Sequence, residues 1–182
     1  NYFATENRES GYSIFKKIEF LNFWLYGFSF IALLILLDPF VRLWAGEKFV
    51  LGLPVCFAIA LNFFVAGYMN TLWVFRSTLG LFKQGKYRPL IVAGLNIVLS
   101  IALGKICGVF GVLFATFLSR AAVNLWYDPI ILHKYGFGVS AKPFFCEYVK
   151  RTLLVALIAI LLLAVRKFIF VSGVTIHGFI IM

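Results

Sequence analysis

The chain has 182 residues, of which 63% are apolar, 19% are aromatic and 13% are charged, and its mean hydropathy is +0.98. Soluble domains are about half apolar and about a quarter charged, so this composition excludes a soluble globular protein and predicts an all-α, polytopic bundle of membrane-spanning helices. The net charge of +10 would suggest nucleic acid in a soluble chain. Here the basic residues lie between apolar runs, which indicates topology signals, contacts with anionic membrane lipids and no nucleic-acid partner.

Five predicted spanning helices and the beginning of a sixth follow one another along the chain. Each is an apolar run that, at about 1.5 Å per residue, crosses most of a hydrocarbon core of about 30 Å. They are predicted to form a single transmembrane bundle, with spans at about 19–37, 50–75, 89–104, 110–127, 148–167 and, in part, 169–182.

Polar segments are predicted to end and connect these spans. Asp38-Pro39 is expected to end the first span and Asp128-Pro129 the fourth, because the residue before a proline is disfavoured in the helical conformation. The expected connections are a polar, water-exposed segment at 1–19, an interfacial segment at 40–49, a basic loop at 76–88, a glycine-containing turn at 105–109 and a second basic loop at 132–151.

The distribution of lysine and arginine predicts the orientation in the membrane. Five of these residues lie on one side, at positions 42, 48, 105, 166 and 167, and Arg120 lies inside a span. The other eleven lie on the opposite side, at positions 8, 16, 17, 76, 83, 86, 88, 134, 142, 150 and 151. Because cytoplasmic loops carry the excess of positive charge, the N-terminal end of the chain is expected to face the cytoplasm.

Arg120 is the most informative candidate site residue. It lies eight residues before Asp128, so about 12 Å of helix separates it from the predicted end of its span. Thr116, Arg120 and Asn124 share one helix face at four-residue spacing, which predicts a polar stripe along a water-filled cavity. Arginine binds phosphate oxygens bidentately. The alternatives are a structural ion pair with an acid on a helix outside this chain, or a helix end misplaced by one turn.

Asparagines recur on other predicted spans. Asn62 and Asn70 share a face of the second span, and Asn96 shares a face of the third with Ser100. These side chains either bind sugar hydroxyls from a cavity wall or form hydrogen bonds between helices.

The basic loop at 76–88 allows two interpretations. Its cations either contact a diphosphate that enters from the cytoplasmic leaflet, with Arg88 as the candidate ligand residue, or act as topology signals and lipid contacts.

No metal, cofactor or catalytic pattern is present in the sequence. Cys56, Cys107 and Cys146 share no close spacing, and His133 and His177 have no ligand-spaced partner. The seven acidic residues are scattered and form no catalytic pair. We therefore expect no metal and no cofactor, and the sequence argues against an enzyme.

Several short blocks, taken in order, resemble the second half of bacterial polysaccharide repeat-unit flippases. These proteins export O-antigen and capsular units and belong to the multidrug/oligosaccharidyl-lipid/polysaccharide exporter superfamily. The similarity covers about residues 10–165. Its blocks are Glu19-Phe20-Leu21-Asn22-Phe23-Trp24 with Gly27, Leu43-Trp44-Ala45-Gly46-Glu47, Tyr87-Arg88-Pro89-Leu90, Asn96-Ile97-Val98-Leu99-Ser100, Lys105 with Gly108 and Gly111, Thr116, Ser119, Trp126-Tyr127-Asp128-Pro129 and Lys134-Tyr135-Gly136-Phe137.

The resemblance implies a fourteen-helix, two-lobe transporter of the bacterial inner membrane. Such a transporter moves undecaprenyl-pyrophosphate-linked oligosaccharides to the outer leaflet by alternating access. The chain opens with Asn1 and stops at Met182 within an apolar run, so we expect a fragment that forms the C-terminal lobe and lacks the N-terminal lobe as its partner.

Two other functions remain open from the sequence. A membrane glycosyltransferase or polymerase of the same pathway requires a large outward loop with clustered polar residues. A drug exporter of the same superfamily would be favoured by an intramembrane acid that couples to protons or sodium, and none is seen in the five predicted spans.

Overall fold

The computed structural model of the protein describes residues 8–171, with side chains to residue 168, and this part of the chain consists of helices joined by short turns, with no strand. Within these described residues, four helices are long and apolar enough to cross a membrane. A short 3₁₀ turn, Glu47–Phe49, follows the first helix, and a π-helical turn, Leu132–Phe137, continues the third. The four helices are α1 (Arg8–Ala45), α2 (Leu53–Thr78), α3 (Arg88–Ile131) and α4 (Lys142–Val171).

Helix α3 reverses direction at Gly108. Gly108 has a φ angle of 59° and a ψ angle of −137°, a backbone conformation that residues with a side chain rarely adopt. The amide of Asn96 then donates hydrogen bonds to the hydroxyls of Thr116, at 3.2 Å, and Ser119, at 3.3 Å. The segments before and after Gly108, α3a (88–107) and α3b (109–131), therefore lie antiparallel and form the α3 hairpin.

The predicted helix end at Asp38-Pro39 is wrong, because α1 continues through it to Ala45. Pro39 has no N–H group, so the carbonyl oxygen of Ile35 loses its helical partner. The Arg166 guanidinium of α4 donates to that oxygen at 3.1 Å and replaces the missing bond.

The carboxylate of Asp38 caps the next helix. Its Oδ1 atom accepts from the backbone N–H groups of Leu51, at 3.2 Å, and Gly52, at 3.1 Å, and from the Cys56 thiol. These donors lie at the N-terminus of α2, where backbone N–H groups lack helical partners and negative charge is favoured.

The predicted break at Asp128-Pro129 is also wrong. Helix α3 continues to Ile131 and then into the π-helical turn. Pro129 leaves the carbonyl oxygen of Leu125 without a partner, and the Tyr68 hydroxyl of α2 donates to it at 2.9 Å. In both Asp-Pro pairs, a side chain from another helix supplies the hydrogen bond that proline removes.

Two predicted polar segments are partly helical as well. Residues 8–19 are the first turns of α1 rather than a loop, and α4 begins at Lys142 inside the predicted second basic loop. Helix α4 continues past Arg166 and Lys167 to Val171. The rest of the predicted sixth span, residues 172–182, lies outside the described residues.

Aromatic and aliphatic side chains together form the core. One cluster centres on Phe15, Phe75, Phe137 and Phe144 near the N-terminal end of α1. A second cluster joins α1, α2 and α4, and its buried members are Phe23, Phe30, Leu34, Ala60, Phe64, Val155 and Ala159. Helix α3 is attached through α3b, whereas α3a remains largely exposed.

The closeness of the hairpin arms can be tested at two glycines. A methyl group at Gly111 would overlap the carbonyl oxygen of Leu103, whereas one at Gly94 meets nothing within 4 Å. We expect Gly111→Ala to lower the free energy of unfolding by about 1–3 kcal/mol through overpacking. Gly94→Ala should leave it unchanged or raise it slightly. Unfolding by SDS in mixed micelles measures both, and equal effects would contradict the hairpin packing.

The cap from Asp38 predicts a second difference in stability. Asp38→Ala removes the acceptor for two backbone N–H groups and should cost about 0.5–2 kcal/mol, whereas Asp38→Asn keeps an acceptor oxygen and should cost less. Glu47→Ala is the matched control, because the ion pair of Glu47 with Arg42 is exposed and worth little. An Asp38→Ala variant as stable as Glu47→Ala in the same titration would show that the cap is unimportant.

Candidate functional site: a polar groove in the α3 hairpin

A groove of about 460 Å³ lies along the α3 hairpin. The structure brings five of the seven predicted site residues together in its lining: Arg88, Asn96, Thr116, Arg120 and Asn124. The remainder of the lining is apolar and consists of Pro89, Val92, Ala93 and Ile97. The groove therefore combines polar groups from both arms with a hydrophobic wall from α3a.

The polar groups of the groove are held by hydrogen bonds between the arms. Asn96 donates to Thr116 and Ser119 through Nδ2, and its Oδ1 accepts from the Ser100 hydroxyl at 3.1 Å. Ser119 also donates to the backbone oxygen of Thr116 at 3.0 Å. Because the Asn96 amide is satisfied at both ends, its orientation is fixed, and the hairpin presents one ordered polar surface.

Arg120 lines this groove without an ion-pair partner in the described part of the chain. Its side chain is partly buried and extends from the middle of α3b. A guanidinium carries five N–H donors and remains charged at any physiological pH. Arg120 is therefore available to bind an anion.

Asn124 continues the stripe but differs in its surroundings. It is buried, its Nδ2 approaches the Met69 sulfur of α2 at 3.9 Å, and its Oδ1 has no hydrogen-bond partner among the described residues. An unsatisfied buried amide oxygen of this kind is an acceptor for a water molecule.

The two remaining predicted residues lie elsewhere. Asn62 donates to the backbone oxygens of Ala58, at 2.9 Å, and Leu113, at 2.8 Å, so it joins α2 to α3b. Asn70 is exposed on α2 and is not part of the groove lining. For Asn62, the structure agrees with the alternative of a hydrogen bond between helices.

A buried ion triad lies at one end of the groove, and the sequence analysis missed it. Arg76 and Asp128 are 7% and 1% exposed. Nη1 of Arg76 donates to Oδ1 of Asp128, and Nη1 of Arg88 contacts the same oxygen. Arg76 also donates to the backbone oxygen of Leu81 at 3.2 Å, which fixes the loop between α2 and α3. Arg76 is therefore neither a loop cation nor a lipid contact.

A second buried acid joins α1 to α4. The Arg151 guanidinium donates to Glu19 at 2.9 Å and to Glu147 at 2.5 Å. Glu19 is 8% exposed, and the ring of Phe20 lies 5.1 Å from the guanidinium. The two buried acids of the described chain, Glu19 and Asp128, are thus both paired with arginine.

A signal for these pairs was present in the sequence. An acid next to an apolar span requires a partner, and basic residues are the commonest partners there. The sequence does not indicate which of the many basic residues that partner is.

The chain matches no known family model, no curated protein sequence and no solved structure.

Water in the groove can be tested with cysteine substitutions. In a variant with Cys56, Cys107 and Cys146 replaced by alanine, we expect Ala93→Cys, on the groove wall, to react with a charged, membrane-impermeant methanethiosulfonate. Leu95→Cys, two residues along the same helix and on the opposite face, should stay unmodified, because a thiolate forms only in contact with water. Equal labelling of the two positions would contradict the prediction that the groove is hydrated and the opposite face of the helix is not.

Proposed function

We propose that this chain is one lobe of a transporter that moves undecaprenyl-pyrophosphate-linked oligosaccharide repeat units from the inner to the outer leaflet of the bacterial inner membrane, as in O-antigen and capsule biosynthesis. The observation that carries the proposal is an unpaired arginine in a polar groove of a membrane helix hairpin. The block-wise similarity to repeat-unit flippases agrees with it.

The charge of Arg120 supports an anionic ligand. An arginine at the centre of a membrane helix costs about 2.5–3.5 kcal/mol on insertion scales, so such a residue is retained where it has a role. No carboxylate of the described chain neutralises it. Its planar fork fits two oxygens of a phosphate. A diphosphate linking a lipid to a sugar supplies such oxygens at the depth of the membrane.

The remaining lining supports the two other parts of that ligand. Beyond the hydrogen bonds described above, Asn96 Oδ1 and Thr116 Oγ1 each retain a lone pair that can accept from a sugar hydroxyl. The wall of Val92, Ala93 and Ile97 offers contact to a prenyl chain. Both surfaces adjoin Arg120, so one groove serves a molecule with an apolar, an anionic and a polar segment.

The hairpin also sets the proposed topology. At about 1.5 Å per residue, α3a and α3b are each at least about 30 Å long, so each arm is long enough to cross the hydrocarbon core. With α1, α2 and α4 we propose five crossings. We place the end with eleven basic residues in the cytoplasm by the positive-inside rule, which puts Arg88 on the cytoplasmic side of the groove.

A second lobe of the same transporter is the partner that we propose for the groove face. The groove-wall residue Ile97 and its neighbours Val98 and Ile101 on α3a are exposed. A groove containing a guanidinium is unfavourable against acyl chains. A facing lobe would enclose it in a hydrated cavity, as alternating access requires. The proposed function assigns no cofactor, no metal and no enzymatic step to this chain.

The role of Arg120 can be tested in a bacterium whose surface polysaccharide depends on the complete transporter. Arg120→Ala should reduce polysaccharide export about tenfold or more, because a hydrogen-bonded charge contributes about 1.5–3 kcal/mol. Arg120→Lys keeps the positive charge but loses the planar guanidinium that binds two oxygens at once, so an intermediate level of polysaccharide export is expected. Lys105→Ala, at an exposed cation of the hairpin turn, is the control and should have no effect. Wild-type polysaccharide with normal protein abundance in Arg120→Ala would refute the role.

A further inference from the structure

Arg88 belongs to two structures at once. It lines the groove together with Arg120, and it contacts Oδ1 of Asp128 in the buried triad. Its side chain is 12% exposed, and the Asp128 side chain is 1% exposed. Of the three triad residues, Arg88 alone lines the groove, so the triad can affect a ligand there through this side chain.

The triad carries more positive than negative charge. Arg76 and Arg88 share one carboxylate and meet on the same oxygen, so one guanidinium is left without compensation. Within the described chain, Asp128 is the only acid in an ion pair with either arginine. A poorly hydrated excess charge is unfavourable, and an anion that approaches Arg88 from the groove would reduce this cost.

The register of the hairpin places Arg88 and Arg120 within reach of one diphosphate. Asn96 lies opposite Thr116 and Ser119, so Arg88, eight residues earlier, lies level with about residues 124–127. Arg120 is then about 6–10 Å deeper along the hairpin. Two arginine side chains can bridge such a distance to the oxygens of a single diphosphate.

We infer that Asp128 is a positioning residue that sets the affinity of the groove for phosphate by competing with the bound anion for Arg88. Asp128 holds Arg88 at the triad end of the groove. A phosphate oxyanion replaces Asp128 as the partner of Arg88, and Arg76 stays on Asp128 and keeps the buried carboxylate neutralised. Ligand release then re-forms the Arg88–Asp128 pair. This inference rests on the proposed function, because it assumes that the groove binds phosphate.

The test uses the full chain in nanodiscs of zwitterionic phosphatidylcholine, with inorganic pyrophosphate as the probe and isothermal titration calorimetry as the measurement. Asp128→Asn should bind pyrophosphate on the order of tenfold more tightly than wild type, because the competitor is gone. Arg88→Gln should bind more weakly. In the Arg88→Gln background, Asp128→Asn should not change the affinity for pyrophosphate further. If Asp128 acted only through its negative charge on the groove as a whole, the same substitution would still raise the affinity.

A variant with the same net charge as wild type separates competition for Arg88 from a general electrostatic effect of removing the Asp128 charge. The triad of wild type has two guanidinia and one carboxylate, and Arg76→Gln/Asp128→Asn leaves Arg88 alone, so both carry a net charge of one positive unit. We expect the double variant to bind pyrophosphate more tightly than wild type despite equal charge. It also leaves no buried carboxylate or Arg76 guanidinium unpaired, so it supplies the result if Asp128→Asn alone fails to fold.

The outcomes separate this inference from the proposed function. Equal affinity of wild type and the charge-matched variant, with binding lost in Arg120→Gln, would overturn the role of Asp128 and leave the anion site standing. Absence of pyrophosphate binding in wild type, or undiminished binding in Arg120→Gln, would overturn both.

A final comparison identifies the source of the phosphate. Nanodiscs with phosphatidylglycerol should weaken pyrophosphate binding to wild type more than to Arg88→Gln if lipid headgroups occupy Arg88. Equal binding in both lipids supports a diphosphate from another source.

Discussion

The absence of water in a hydrocarbon core is the constraint on which this structure depends. A carbonyl, carboxylate or guanidinium there must find its partner within the protein. The two Asp-Pro pairs show how the chain meets this demand. Each proline removes a backbone donor, and Arg166 and Tyr68 supply replacements from other helices. Each aspartate is used as well, Asp38 as a helix cap and Asp128 as the centre of an ion triad. The packing of the helices is thus set by polar contacts as much as by aromatic ones.

Against this background Arg120 stands out. Most other arginines of the described helices contact an acid or a backbone oxygen, for example Arg76 at Asp128, Arg151 at Glu19 and Arg166 at the Ile35 carbonyl. Arg120 has no such contact in the described chain and lines a groove with fixed hydrogen-bonding groups. The structural arginines are therefore distinguished from Arg120 by their partners, although all of them occur in the same type of helix.

The sequence predicted much of the groove but little of what surrounds it. Four-residue spacing placed Thr116, Arg120 and Asn124 on one face, and the glycine-containing turn brought Asn96 opposite them. These are local patterns. The helix ends at the two prolines were predicted wrongly, because a local rule detects the missing N–H and not a distant side chain that replaces its bond. The burial of Arg76 was missed for the same reason, since its partner lies 52 positions away.

The side chains that replace the missing backbone donors at the two prolines also determine where the helices of this bundle can bend. At Pro39 and at Pro129 the helix axis is held by a side-chain contact to a neighbour instead of its own backbone ladder. Bending there breaks one contact that rotamer motion can restore, whereas bending elsewhere breaks the ladder itself. One such weak point lies near each rim of the bundle. Bending of these helices would therefore be concentrated near the two membrane surfaces, and the helix segments between them would move as rigid bodies.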